Sequence, residues 1–190
     1  MRKVRLAALG IIMTLVGCSS IEGSRVAPEP AKSIDLARFY SGRWYEIART
    51  PMSLTDGCVA GTTDYFQDKS GRLIERDGCR MKTPEGEEKT YQGPVTLLSP
   101  EAHNKISVRY VVWGLFPVTW TYWMLDRGDD YDWFIVSDPK FENISLFTRT
   151  PRPAPATVEM LRQRTRELGY DPAKLEFPTQ FPPGEGALTP

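Results

Sequence analysis

From position 43 onward, short runs of β-branched and aromatic residues alternate with clusters of Gly, Pro, Asp, Asn and Ser. The pattern predicts eight strands, at 43–50, 58–66, 72–80, 88–97, 104–112, 118–126, 131–137 and 143–148. No helix-length periodic segment interrupts them. Consecutive strands with short connections predict an antiparallel meander. Eight strands can close into an up-and-down barrel whose interior holds one small ligand. Residues 151–155 then form a proline-rich exit. In 157–168, Val158, Leu161, Thr165 and Leu168 recur at spacings of three and four, which predicts a helix with one apolar face. Gly169 supplies its stop. The fold class expected is all-β: an eight-stranded antiparallel barrel with a C-terminal helix packed outside. Asp171-Pro172 starts a short further turn, the Pro/Gly-rich tail beyond Phe177 reads as irregular, and no internal repeat is visible.

The first residues follow a different pattern. Arg2, Lys3 and Arg5 precede an apolar run of twelve residues, Leu6 to Gly17, broken only by Thr14. A bilayer core takes about 20 residues, so this reads as a signal-peptide core rather than a span. It ends in Leu15-Val16-Gly17-Cys18, which resembles a bacterial lipobox. The resemblance implies that 1–17 is removed and that Cys18 is lipidated; the alternative is an ordinary signal peptide with a chance cysteine. Ser19 stands where inner-membrane lipoproteins commonly carry aspartate, so the expected place is the outer membrane, facing the periplasm. Residues 18–35 then read as lipidated cysteine and flexible tether, 36–180 as the domain and 181–190 as an irregular tail.

Composition narrows the function. The 190 residues are 41% hydrophobic and 11% aromatic, enough for one core. Lys+Arg and Asp+Glu both total 24, which argues against nucleic acid as a partner. Three cysteines is an odd number for an exported chain. Once Cys18 carries lipid, Cys58 and Cys79 remain to form a disulfide in an oxidising compartment. If they oppose one another directly, their hairpin centres between Asp68 and Lys69, within the turn-forming Gln67-Asp68-Lys69-Ser70-Gly71. The bridge then lies at the barrel's open end.

Gly42-Arg43-Trp44-Tyr45-Glu46-Ile47-Ala48-Arg49 resembles the G-x-W signature of lipocalins, most closely the subgroup of bacterial lipocalins and apolipoprotein D. Thr148-Arg149-Thr150-Pro151 is similar to that subgroup's final-strand motif, and Asp126 followed by Tyr131 to its turn between the sixth and seventh strands. The likeness covers about 36–177. Ser145 stands where the last strand usually has an aromatic, and the turn at Arg127 to Asp130 is somewhat longer than in the family. In a closed meander the last strand ends where the first begins. Gly42, Trp44 and Arg149 are therefore expected as structural residues, with the guanidinium lying across the indole and sealing the floor, a contact of about 0.5–2 kcal/mol.

The resemblance also places Ile74 and Arg76 inward and Cys79 outward. In the register above, Arg76 faces Gly61 and Ile74 faces Thr63. Trp44 inward implies Glu46 inward, and a charge inside an apolar barrel needs a partner or water. Glu46 and Arg76 then pair, or Arg76 meets a ligand's acid group, or Arg76 leans into solvent. Tyr110, Trp123 and Trp133 are wall candidates, although the later strands are apolar on both faces and leave parity open. The connection Trp113-Gly114-Leu115-Phe116-Pro117 is expected at the mouth beside 51–57. It reads either as a ligand lip able to touch a bilayer or as a plug.

These readings converge on an outer-membrane lipoprotein that binds, stores or transports a small lipophilic ligand. By resemblance that ligand is a fatty acid, a lysophospholipid or a similar amphiphile. No cofactor, metal or catalysis is expected. His103, the only histidine, sits in a turn, and no thiol remains free, which removes the common nucleophile–base pairs and multi-histidine metal sites. Two other readings stay open: a lipid-modifying enzyme working through carboxylates, and a structural or partner-binding lipoprotein with a plugged barrel.

Overall fold

The computed structural model describes residues 26–112 and 114–186. Its strands are β1 (Gly42–Arg49), β2 (Cys58–Gln67), β3 (Leu73–Met81), β4 (Glu88–Leu97), β5 (Lys105–Val112), β6 (Phe116–Arg127), β7 (Trp133–Ser137) and β8 (Ile144–Thr148). Each pairs antiparallel with its sequence neighbour, and β8 closes on β1, giving a complete barrel. Closure satisfies the backbone groups that an open sheet would leave at its edges.

One end of the barrel is sealed. A short helix α1 (Leu36–Phe39), absent from the sequence pattern, is capped by the Asp35 side chain, which accepts from the Arg38 N–H. It lays the fully buried Phe39 across the floor, with ring centroids 5.3 Å from Trp44 and 4.8 Å from Phe134. The Arg149 guanidinium lies 3.5 Å from the Trp44 ring centroid. It also donates to the carbonyls of Ser41 at 2.7 Å and Arg38 at 2.8 Å. The expected floor pair is therefore present, and Gly42 turns the chain into β1 at φ 63°. Above it, Tyr65, Ile106, Val108, Met124 and Phe147 fill the closed half.

The second layer is helix α2 (Pro155–Glu167) on the barrel's outside. Leu161 and Thr165, both fully buried, face Ala48, Ile135 and Leu146. Arg164 pins the helix by donating to Asp126 Oδ2 at 2.5 Å. The helix begins two residues before the predicted start because Pro155 is tolerated in a first turn. Gly169, at φ 91°, ends it. Asp171 caps the expected further turn, Pro172–Lys174.

Both flanks pack more closely than their composition suggests. Residues 26–35, read as tether, lie against the barrel. Ala27 N–H donates to Pro139 O at 3.0 Å and Ile34 N–H to Ala102 O at 2.8 Å, and Lys32 reaches Asp129 at 3.1 Å. In the tail, Phe181 meets Tyr45 edge-on at 5.2 Å and Glu185 accepts from Arg43 at 2.8 Å. Cys18 and the signal segment lie outside the described residues, as does Trp113.

Three register shifts interrupt the ladders, between Glu46 and Ala48, Cys58 and Ala60, and Met124 and Asp126. A bulge inserts one residue and so reverses which side chains face inward beyond it. Each shift decides part of the interior.

Candidate functional site

The half of the barrel away from the floor encloses a cavity of about 200 Å3. Its lining reaches Met52, Leu54 and Thr55 in the loop after β1 and Asp138 and Asn143 in the loop before β8. These loops mark the open end. Exposed apolar side chains cluster there: Leu54 is 51% exposed, Leu115 78% and Phe116 58%.

Glu46 points inward, as expected, but its partner is Arg49. The β1 bulge makes this possible. In an unbroken strand Glu46 and Arg49 would face opposite sides; with Ile47 and Ala48 both turned outward, the two charged residues face in together. Arg49 Nη1 donates to Glu46 Oε2 at 2.7 Å, Nε to Glu176 Oε1 at 2.7 Å, and Nη2 to Cys58 O at 3.0 Å. Burial pushes the Glu46 carboxyl upward, and the adjacent guanidinium offsets part of that. Gly61 is paired with Glu46, and a Cβ there would press into its carboxylate. The glycine thus leaves room for Glu46, not for Arg76.

Arg76 lies on the outer face, 3.5 Å from Asp64 and 3.7 Å from Glu88. The expected inward placement of Ile74 and Arg76 is corrected. Leu73, Glu75, Asp77 and Cys79 hold the inner positions, and the hairpin turns on residues 68–72 with Gln67 opposite Leu73. The turn centre is displaced because the Asp68 side chain accepts from the Ser70 and Arg72 N–H groups, and Gly71 takes φ 80°. Arg76 consequently opposes Asp64, and Ile74 opposes Phe66.

Cys58 and Cys79 are disulfide-bonded, with Cα atoms 5.6 Å apart. They are not directly opposed: Cys58 pairs with Met81 and Cys79 with Gly61. The shift at Val59 turns Cys58 inward beside Cys79, so the bridge lines the cavity mouth instead of the outer surface.

Tyr110 lines the cavity and is 5% exposed. Its hydroxyl lies 2.5 Å from Glu75 Oε1 and 2.5 Å from Asp77 Oδ2. Thr63 donates to Asp77 Oδ1 at 2.7 Å. Burial raises Glu75 to about 8 and Asp77 to about 6; for Glu75 the charge on Asp77 adds to the shift. Burial, reinforced by these carboxylates, also holds the Tyr65, Tyr110 and Tyr122 phenols well above their usual value.

Trp123 and Trp133 face outward and are corrected as wall residues. Both pack in the layer beneath α2, and Lys105 Nζ sits 3.7 Å from the Trp123 ring centroid. Their neighbours Trp120, Tyr122, Phe134 and Val136 form the wall. Sequence reasoning passed over Glu75, Asp77 and Arg49. The signal for the first two was the alternation of Leu73, Glu75 and Asp77 on one face, readable once the turn is centred on Ser70. Nothing local announces the bulge that turns Arg49 inward. His103 lies at the closed end, its Nδ1 3.1 Å from Ile34 O, away from the cavity.

A closed eight-stranded meander with one end plugged by a short helix and a hollow other half is a barrel built around an internal cavity. The family model described as a lipocalin-like domain matches residues 34–180, and the chain belongs to the lipocalin family. It is 25% identical over 177 residues to the outer membrane lipoprotein Blc of Vibrio cholerae, covering 92% of this chain and 99% of that protein. It is 27% identical to temperature-induced lipocalin-1 of Arabidopsis thaliana, over 85% of this chain and 88% of the relative. Among solved structures, insecticyanin of the tobacco hornworm Manduca sexta superposes with a TM-score of 0.63 at 18% identity, covering 82% of this chain and 86% of its own. That last likeness concerns the fold alone.

Proposed function

We propose that the protein is a lipid-anchored outer-membrane lipocalin that takes one small lipophilic or amphiphilic ligand into its barrel without catalysis. The observation that carries this reading is the cavity itself, which opens at one end and is walled by Tyr, Trp and Phe side chains. A plugged barrel would fill that space with its own side chains. At about 30 Å3 per water-sized group, 200 Å3 accommodates about seven such groups. The occupant is therefore a small molecule or the end of a longer chain whose remainder leaves by the mouth. Seven methylenes at about 0.8 kcal/mol each give roughly 5.5 kcal/mol, a dissociation constant near 0.1 mM. Tighter binding draws on a polar group or on the apolar lip. Exposed Leu54 and Leu115 suit a mouth that receives ligand from a lipid surface.

Trp120 in the wall makes intrinsic fluorescence a direct reporter. Eight-carbon amphiphiles should shift the emission saturably at about one per barrel, and two-carbon analogues should not. Arg76→Ala should leave binding unchanged, because the side chain is outside. Absence of saturable binding by any amphiphile, in protein shown to be folded, refutes the reading. Membrane attachment rests on the lipobox and on the Vibrio cholerae relative. Cys18→Ala should release the protein from membranes or block its processing, and unchanged membrane recovery would refute the anchor.

A further inference from the structure

The inner end of the cavity is short of positive charge. Tyr110 places one hydroxyl 2.5 Å from both Glu75 Oε1 and Asp77 Oδ2. A phenol has one hydrogen to donate. Of the two contacts, only one can be a hydrogen bond from Tyr110; the other needs a hydrogen that the ionised trio does not possess. Two more donors reach the pair, Thr63 to the far oxygen of Asp77 and the Tyr65 hydroxyl to Glu75, and both are neutral. Glu75 is 3% exposed, and among the described residues no Lys or Arg forms an ion pair with Glu75 or Asp77. Elsewhere in the same barrel the rule is kept: Glu46 has Arg49, and Asp126 on the outer face has Arg164. A buried carboxyl and a half-buried one, neither with a counter-charge, leave the site to be completed by a proton or by a cation that arrives with the ligand.

The surroundings favour a particular kind of cation. Tyr91, Trp120, Tyr122 and Phe134 present aromatic surface to the same space. An ammonium group has three donors and is attracted to ring faces. An anionic head group would instead meet two or three like charges in a medium of reduced dielectric.

We propose that Glu75 and Asp77 form a cation subsite that receives the protonated amine of a small organic ammonium ligand, whose apolar part fills the rest of the cavity. The subsite rests on the reading of the barrel as a lipophile-binding lipocalin and selects among its possible ligands. Ammonium N–H groups take up the carboxylate oxygens that Tyr110 cannot serve together. In the empty barrel a proton shared within the trio holds that place, as the raised carboxyls indicate. Binding of the amine displaces this proton.

The charged and titratable groups facing the pair are few. From β1 come Glu46 and Arg49, already joined to each other. Tyr65, Tyr91, Tyr110 and Tyr122 face it from β2, β4, β5 and β6, and Tyr40 of the floor couples to Glu75. Lys89 stands at the mouth opposite Cys79, and Asp64 acts from the outer face of β2. Burial keeps Tyr40, Tyr65, Tyr110 and Tyr122 protonated through neutral pH.

Three probes with one chain length separate the possibilities: octylamine, 1-octanol and octanoate, each titrated against the barrel by tryptophan fluorescence at pH 8. Octylamine should bind about tenfold more tightly than octanol or better, and octanoate more weakly than octanol. Octylamine affinity should rise between pH 6 and 9, because the carboxyls lose their shared proton while an alkylamine, near pKa 10, stays charged. Octanol affinity should stay flat. Glu75→Gln, and the near-isosteric pair Glu75→Gln with Asp77→Asn, should bring octylamine to within about threefold of octanol. Equal binding of octylamine and octanol by the wild type, or tightest binding of octanoate, overturns the subsite and leaves the lipophile-binding reading standing. A preference that survives in a folded double variant also overturns it. If none of the three binds, both readings fall.

Discussion

Replacing Arg149 with alanine tests whether the floor is held as the geometry implies. The guanidinium stacks on Trp44 at 3.5 Å and donates to Ser41 O at 2.7 Å and Arg38 O at 2.8 Å, with a longer bond to Arg43 O at 3.1 Å. Burial lowers its pKa to about 10, well within the range where it remains charged at neutral pH. The stack contributes about 1 kcal/mol. Each of the two short bonds to a charged donor contributes about 1.5–3 kcal/mol when fully buried. The site is only half-buried, so water replaces part of what is lost, and about 3 kcal/mol is the expected cost of Arg149→Ala. For a domain of this size that lowers the melting temperature by roughly 6–12 °C. Arg149→Lys keeps the charge but loses the planar fork, so it should cost about half as much. Urea denaturation followed by circular dichroism measures both, and an unchanged m-value confirms that stability alone has moved. A cost below about 0.5 kcal/mol for Arg149→Ala would refute the reasoning, since that is the range of an ordinary surface substitution.

Two further predictions concern the interior. The folded chain holds protons on the Glu75–Asp77 pair, which titrates in steps at about 6 and about 8, more tightly than the unfolded chain does at about 4. Between those values the folded state binds more protons, so this pair's contribution to stability is fullest below about pH 4 and falls as pH rises towards 8. Urea midpoints at pH 5 and pH 8 should show the decline, and Glu75→Gln should remove most of it; an equal decline in the variant would assign it to other groups. The Cys58–Cys79 disulfide closes a segment with sequence separation 21. Its removal as Cys58→Ala with Cys79→Ala should cost about 3 kcal/mol, seen as a lower denaturation midpoint, whereas an unchanged midpoint would show that the bridge constrains nothing the fold needs.

The sequence by itself determined the eight strands, their order, the helix after them and the pairing of Trp44 with Arg149. These follow from period-two patterning, turn residues and the requirement that a closed meander bring its two ends together. Glu46 was also legible as an inward residue, because alternation counted from Trp44 survives two positions, whereas Tyr110 was a wall candidate whose parity the sequence left open. Only the tertiary structure decided where Arg49, Arg76, Cys79, Trp123 and Trp133 point. A one-residue bulge or a displaced turn reverses every later side chain in its strand, and neither needs a distinctive residue. At Val59 and in β1 the bulges carry no glycine, so composition is silent. In β6 and β7 both faces are buried, one against the cavity and one against α2, so hydrophobicity does not say which tryptophan faces which. Glu75 and Asp77 came together only when closure buried Glu75 and brought both carboxyls to a single tyrosine hydroxyl. That juxtaposition joins β3 to β5 across the barrel, a distance that no local pattern encodes.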